Sequence, residues 1–440
     1  MLERSEHVGG ICRTVDYRGY LMDIGGHRFF TRFDEVQSLW EEVLGDELLR
    51  RPRLSRILYD GKLYDYPLNA RNALRNLGPV EATRCMLSYV RARARPRGKE
   101  VSFEEWVSNR FGDRLFDIFF RTYTEKVWGI PTSQIGAEWA AQRIKNLDLA
   151  TAVKRALRLG GDELVTSLIE EFWYPRLGPG QMYDVMAEQA VERGALLQKE
   201  HTVVGLRHRE GRLTHVVAES PAGPVEYEAD QVLSSIPLTV LVRCMDPPAP
   251  PEVLRSAAAL RFRHLLVVFL IVDQADLFDD NWVYIHDRSL KLGRLQNFRN
   301  WSPDMVPDPT TTCLGLEYFC SDGDPLWTMS DEALQRLGRR ELARTGLLPD
   351  SARVIDGSHI RVPRAYPVYE RGYEEHLERV VGWVRGFENL HPMGRYGMFK
   401  YNNSDHSILT ALLTVENLHG ASHDVWAVNT DSDYHEIRKS

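Results

Sequence analysis

Val36, Leu39, Trp40 and Val43 recur at helical spacing, and Asp34 stands where a helix dipole favours negative charge. The spacing predicts an amphipathic helix over 33–44, preceded by a strand over 20–24, where the pattern alternates. Residues 56–66 predict a hairpin, because Asp60-Gly61 suits the positive φ values of a tight primed turn between two short strands. From about 68 to 170 the periodicity is mostly helical, broken at Pro96-Arg97-Gly98 and Gly129-Ile130-Pro131. The pattern then becomes mixed. A turn is expected at 174–180, a helix at 182–193, and short strands over 202–235 with turns at Glu210-Gly211 and Ala222-Gly223. The apolar run 265–272 suits a strand buried on both faces, and 281–300 and 312–319 continue a sheet-rich segment. The chain closes with a helix over 374–384, a loop at Gly394-Arg395-Tyr396-Gly397 and a helix from about 404 to 417.

No internal repeat or obvious linker divides these segments, so the units are expected to interleave in sequence. The proportions, 43% hydrophobic and 27% charged over 440 residues, are those of a globular chain of several units and exclude wholesale disorder. A net charge of −7, thinly spread, gives no nucleic-acid footprint, so any anionic ligand must meet local arginines. Arginine outnumbers lysine forty-six to nine, a skew that codon usage explains as well as function does. Cys12, Cys85, Cys244, Cys313 and Cys320 form no CxxC pair, and there is no HExxH or clustered histidine set, so neither a disulfide framework nor a metal centre is expected. The longest apolar run is far below the ~18 residues of a membrane span, and MLERSEH has no signal-peptide core; a cytoplasmic protein is expected.

Candidate chemistry begins with Leu2-Glu3 and Val8-Gly9-Gly10-Ile11-Cys12-Arg13. In a dinucleotide-binding βαβ unit an acid ending the second strand accepts hydrogen bonds from the adenosine ribose, and Glu3 would be that acid. Gly9 and Gly10 would let backbone approach a pyrophosphate, with Arg13 supplying paired donors. A surface loop with a chance Gly-Gly explains the same residues.

Further motifs follow in a telling order: Asp23-Ile24-Gly25-Gly26-His27-Arg28-Phe29-Phe30-Thr31, Tyr174-Pro175 before Gly178-Pro179-Gly180, and Asp230-Gln231-Val232-Leu233-Ser234-Ser235-Ile236-Pro237. Over nearly its whole length the chain resembles the flavoprotein superfamily of amine oxidases, protoporphyrinogen oxidases, carotenoid desaturases and UDP-galactopyranose mutases. Among these it is most similar to the mutases. Tyr123-Thr124-Glu125-Lys126-Val127-Trp128-Gly129 with a following Arg143 resembles the mutase run Tyr-Thr-Glu-Lys-Gln-Trp-Gly and its arginine. Gly394-Arg395-Tyr396-Gly397-Met398-Phe399-Lys400-Tyr401-Asn402-Asn403-Ser404-Asp405 resembles Gly-Arg-Leu-Gly-Thr-Tyr-Arg-Tyr-Leu-Asp-Met-Asp.

The resemblance implies a mixed α/β fold: a Rossmann-like FAD-binding domain (1–55, 173–245, 373–440) interleaved with a helical domain (68–172) and an antiparallel substrate sheet (56–67, 246–372). It implies FAD, held by Glu3, Gly9, Gly10, Arg13, Gly25, Gly26, His27, Val204, Gly394, Arg395 and Asp405. His27 would lie against the flavin, Arg143 and Arg294 at a sugar-nucleotide pyrophosphate, Tyr401 at the substrate phosphates, and Tyr366 as a further active-site tyrosine. On elementary grounds Gly394 admits backbone to an anion, Arg395 can fork onto a phosphate, and Asp405 near a helix start can accept ribityl hydroxyls. An Asp-capped strand–turn–helix explains Asp405 as well but leaves Gly394-Arg395 unexplained.

In the mutases the reduced flavin N5 attacks the anomeric carbon and the sugar ring opens and recloses without net redox change. A nucleotide-sugar substrate, and by analogy with bacterial mutases a homodimer, follow from the resemblance. Phe30, Leu147 and Asn403 depart from the mutase pattern, which leaves the sugar open. No G-x-G-x-x-G precedes Glu3, so the first strand, glycine turn and helix of the unit, about 30 residues, are expected upstream of a misassigned start. If the chain is complete as written, weak or absent FAD binding is expected instead. Two alternatives stay open: an FAD-dependent oxidoreductase, and a cofactor-free remnant of the fold.

Overall fold

A computed structural model describes residues 1–137 and 170–430. Seventeen strands are defined among them. β1 (Thr14–Tyr17) and β2 (Tyr20–Asp23) form a hairpin, and β3 (Leu48–Pro52) pairs antiparallel with β6 (Glu171–Pro175). β4 (Ser55–Tyr59) and β5 (Lys62–Asp65) form the expected hairpin, with Asp60 at φ 51° and Gly61 at φ 69°, as the Asp-Gly pair requires. β7 (Thr202–Arg209), β8 (Arg212–Ser220) and β9 (Gly223–Glu228) make a meander; β10 (Val232–Ser234) precedes the short β11 (Met245–Asp246). β12 (Phe262–Val272), β13 (Trp282–Ile285), β14 (Arg294–Asn297), β15 (Thr312–Cys320) and β16 (Val354–Pro367) follow, and β17 (Leu390–Pro392) pairs parallel with β10.

The largest sheet has the order β16-β12-β15-β14-β13-β4-β5 and unites the early hairpin with the later strands. β12 carries the apolar run read as a doubly buried strand, and it is buried along nearly its whole length. One sheet face packs Leu266, Val268, Leu270, Leu295, Leu314 and Leu316 against Leu334, Leu337 and Leu342 of the Asp331–Arg344 helix. That helix is amphipathic and capped by Ser330, whose hydroxyl accepts from the Ala333 amide, which explains where it starts and what it covers. The opposite face carries the polar and aromatic residues described below.

Four expectations need correction. The turn after Tyr174 begins later than read, because Tyr174 and Pro175 complete β6 through pairing with β3. Phe298–Trp301 is a helical turn inside the segment read as sheet, and Gly394–Gly397 is a helical turn, not a loop. Asn403, not Asp405, caps the Ser404–Leu418 helix: its side chain takes the N3 amide, and His406 Nδ1 accepts from the Asn403 amide at 3.2 Å. No described helix is long and apolar enough to cross a membrane.

Candidate active site

Strand pairing decides which side chains share a face, since directly opposed residues point the same way. Ser55 opposes Trp282, Trp282 opposes Gln296, Tyr284 opposes Arg294, and Arg294 opposes Glu317. These residues therefore share the polar face, while Val283, Leu295 and Leu316 turn into the apolar core behind. Glu317 is fully buried and takes the Arg294 fork: Nε donates to both carboxylate oxygens at 2.9 Å and Nη2 to Oε2 at 2.6 Å. Gln296 Nε2 donates to Oε1 at 2.8 Å. Burial works against the Arg294 charge, but Glu317 outweighs it and holds the guanidinium well above its ordinary pKa.

Tyr123, from the Thr122–Trp128 helix, stacks on His286 at 5.2 Å and meets Tyr284 edge-on at 5.2 Å. Burial raises the Tyr123 phenol and lowers His286 to about 3, so both rings are neutral near pH 7. Lys126 on the same helix donates to the Ile285, Asp287 and Leu292 carbonyls at 2.9, 2.7 and 2.9 Å, pinning helix to sheet. Burial pushes its ammonium down to about 8.

At the far end Tyr366 and Tyr401 stack at 6.0 Å, with Phe319 against Tyr366 and Trp128 against Tyr401. Arg395 lies 4.0 Å over the Tyr401 ring. Its Nε and Nη1 donate to the Ala365 and Asn402 carbonyls at 3.3 and 3.0 Å, which corrects the expectation of a fork aimed at a phosphate. A buried cation needs acceptors, and here backbone and aromatic faces supply them. Burial raises the Tyr366 phenol strongly, leaving it a neutral hydrogen-bond donor.

The turn Gly25-Gly26-His27-Arg28 lies across this face. Gly25 holds φ +96°, and a Cβ there would sit 3.6 Å from Arg294 Nη2 and 3.7 Å from Glu317 Oε1. Arg28 reaches over Trp282 at 5.4 Å. Cys12 Sγ meets His27 Nδ1 at 3.6 Å and Ser404 Oγ at 3.6 Å, so the two glycine-rich turns and the start of the Ser404–Leu418 helix converge. His27 Nε2 lies 2.9 Å from the Ile24 carbonyl. Burial opposes both charges, yet mutual attraction, with Asp23 and Ile24 aiding His27, lowers the Cys12 thiol to about 7 and raises His27 to about 9. Asp23 accepts from Tyr174 and, at 3.1 Å, from Thr14; burial nevertheless raises its carboxyl to about 7.

The remaining expected residues fall as follows. Glu3 spans the Gln198 carbonyl and His201 amide through its backbone, and its carboxylate accepts from the Ser5 amide at 2.8 Å. Gly9 sits at φ +89°, where a Cβ would lie 3.4 Å from the Arg13 backbone and from Tyr183, and Arg13 feels Glu3 and Glu6. Asp405 is buried beside His406, 3.1 Å away. Val204 lies on β7, 42% exposed, outside the convergence of turns. Arg143 and Leu147 lie outside the described residues. The sequence reading missed Glu317, Gln296, Cys12 and Ser404. A lone acid inside the buried strand Thr312–Cys320 was the signal for Glu317.

The profile described as flavin containing amine oxidoreductase matches residues 1–422. The chain belongs to this family. Its members are flavoproteins that bind FAD, and the mixed α/β architecture is theirs. A structure of reduced UDP-galactopyranose mutase superposes with TM-score 0.85 at 20% identity, covering 99% of this chain and 93% of that one. A protein of Exiguobacterium sp. 255-15 assigned as a protoporphyrinogen oxidase gives TM-score 0.70 at 19% identity, covering 95% and 92%. A redesigned putrescine oxidase gives 0.61 at 15%, covering 95% and 93%. These likenesses describe the fold.

The flavoprotein's own residues fit the cofactor. Gly394 holds φ +75° with only Ser407, at 4.0 Å, within reach of a Cβ, and Gly10 at φ +57° has nothing within 4 Å. No side chain crowds either turn, although the Gly394 amide donates to Thr410 Oγ1 and its carbonyl accepts from Asn402, and the positive end of a 15-residue helix lies beside them. Gly10, Gly25, His27, Gly394 and Ser404 would hold the group.

Proposed function

We propose that this flavoprotein acts on a nucleotide-sugar and catalyses ring isomerisation of the UDP-galactopyranose mutase type, with the FAD in its reduced form. The observation that carries the reading is the facing of Gly25, in the turn that bears His27, by Arg294 and Glu317 on one sheet face, closed at its end by Tyr366 and Tyr401. The reduced flavin, when bound, supplies an electron-rich centre that is regenerated each turnover.

The chain's own groups do the rest. His27 keeps its proton below about pH 9 and so places positive charge at the turn that would hold the flavin. Glu317 engages Nε and Nη2 of Arg294, which leaves Nη1 to meet a diphosphate oxygen and fixes its direction. The neutral Tyr366 phenol donates to a phosphate oxygen without adding charge, and the Tyr401 hydroxyl, on the ring stacked against it, is placed to do the same. Phe319, Trp128 and Tyr123 narrow the cleft and exclude water around these groups.

A second reading, hydride removal from a carbon or C–N bond, is supported by the family's oxidoreductase members and by Glu317, which neutralises Arg294 and leaves the sheet face less cationic. One assay separates the two. With FAD and dithionite, the mutase reading expects interconversion of UDP-galactopyranose and UDP-galactofuranose at constant flavin reduction. Without dithionite, loss of the oxidised flavin's colour driven by an added amine or porphyrinogen, together with no sugar interconversion in the reduced sample, would overturn it.

A further inference from the structure

Three arginines stand on the large sheet or on the segment that leads into it: Arg294 on β14, Arg56 on β4, and Arg53 two residues before β4. Two of them grip carboxylates through the same edge. Arg294 holds Glu317 with Nε and Nη2, and Arg56 holds the fully buried Asp280 with Nε at 2.9 and 3.1 Å and Nη2 at 2.5 Å. The third is Arg53. Its Nε and Nη2, the same fork, are buried and have no hydrogen-bond partner.

The surroundings of Arg53 are specific. Its guanidinium lies 5.5 Å from the Tyr66 ring and 5.7 Å from Trp282, and Arg28 covers the same indole at 5.4 Å. Trp282 is 3% exposed and its Nε1 also has no partner. Arg53 Nε and Nη2 and Trp282 Nε1 are three unsatisfied donors, and the unpartnered acceptor that strand register brings beside Trp282, Gln296 Oε1, is a neutral amide oxygen and not a carboxylate. Acids close in sequence are committed elsewhere, Asp280 to Arg56 and Glu171 to Arg50 at 2.7 Å. A buried guanidinium with an empty fork is unfavourable unless an acceptor completes it, and a carboxylate is the acceptor that this edge takes twice nearby.

Ser55, two residues on from Arg53, opposes Trp282, which shares its face with Arg294. Strand spacing and rise then put Arg53 roughly 15 Å from Arg294 along that face. We infer that Arg53 and Trp282 form a subsite for a carboxylate at the sugar end of the substrate, so that the sugar is a uronate and not a neutral hexose. This rests on the nucleotide-sugar reading above.

The test is calorimetric binding of UDP, UDP-galactose and UDP-galacturonate to the full chain and to Arg53→Met, Arg53→Lys and Trp282→Phe. Wild type is expected to bind UDP-galacturonate roughly 10- to 100-fold more tightly than UDP-galactose, the worth of charged hydrogen bonds. Arg53→Met should abolish that preference and leave UDP affinity unchanged; Arg53→Lys should retain part of it. Trp282→Phe, which keeps an aromatic ring and removes the indole donor, should reduce the preference about 3- to 10-fold and serves if Arg53→Met does not fold. Equal affinity for the two sugars in wild type overturns the subsite and leaves the nucleotide-sugar reading standing. An equal loss of UDP and UDP-galacturonate binding in Arg53→Met assigns the fork to the diphosphate and also overturns it. If none of the three ligands binds, the nucleotide-sugar reading fails, and the subsite with it.

Discussion

The two walls of the cleft are equally buried but hold their charge differently. On the sheet wall Arg294 and Glu317 face each other in a fixed fork, reinforced by Gln296, and the guanidinium is held well above its ordinary pKa. On the turn wall Cys12, His27 and Asp23 sit with pKa values of about 7, 9 and 7, so their charges change across ordinary pH. Burial alone therefore does not set behaviour. A guanidinium facing a carboxylate locks, whereas thiol, imidazole and an isolated carboxyl remain exchangeable.

Breaking the locked wall should have the largest effect. Glu317→Ala leaves Arg294 buried without its partner and is expected to cost about 3–5 kcal/mol, read as a shifted denaturant midpoint at unchanged slope. A loss below about 1 kcal/mol would mean that water replaces the carboxylate and that the wall is not locked.

The turn wall should show in pH dependence. Unfolded Asp23 ionises near 3.8, whereas in the fold it keeps its proton to about 7, so stability falls as pH rises between those values, by up to ~4 kcal/mol. Between pH 7 and 9 His27 loses stabilisation and Cys12 gains it, so the two slopes oppose. Asp23→Asn should flatten the pH 4–7 slope measured by denaturant titration; an unchanged slope would assign it elsewhere. A smaller effect concerns Cys12. Iodoacetamide should label it with an inflection near pH 7 in flavin-free protein, and His27→Asn should move that inflection upward by about a pH unit or more. Labelling that ignores the substitution would dissolve the pair.

Much of the sheet wall's frame was legible from the pattern. The run Leu265-Leu266-Val267-Val268 suits a buried strand, and Asp60-Gly61 fixes the β4–β5 hairpin, because local chemistry favours both. Arg294 was placed by its position in a motif, but its partner was not. Glu317 lies 23 residues away, and only cross-strand register joins them. Arg53 was invisible among forty-six arginines, since an empty fork is a property of neighbours and not of sequence. Arg395 was read as phosphate-facing because nothing local showed the Ala365 carbonyl that engages it. On the turn wall the glycines and His27 were legible, whereas the meeting of Cys12 with Ser404 spans 392 residues.

The central claim is that Gly25, His27, Gly394 and the helix beginning at Ser404 together bind a flavin. The direct measurement is an absorption spectrum of the purified full chain, followed by heat release and quantification of nucleotide per polypeptide. The account predicts bands near the flavin maxima and about one FAD per chain, either as isolated or after incubation with the coenzyme. A folded, cooperatively melting protein that stays colourless at saturating FAD would contradict it and leave a fold without its cofactor.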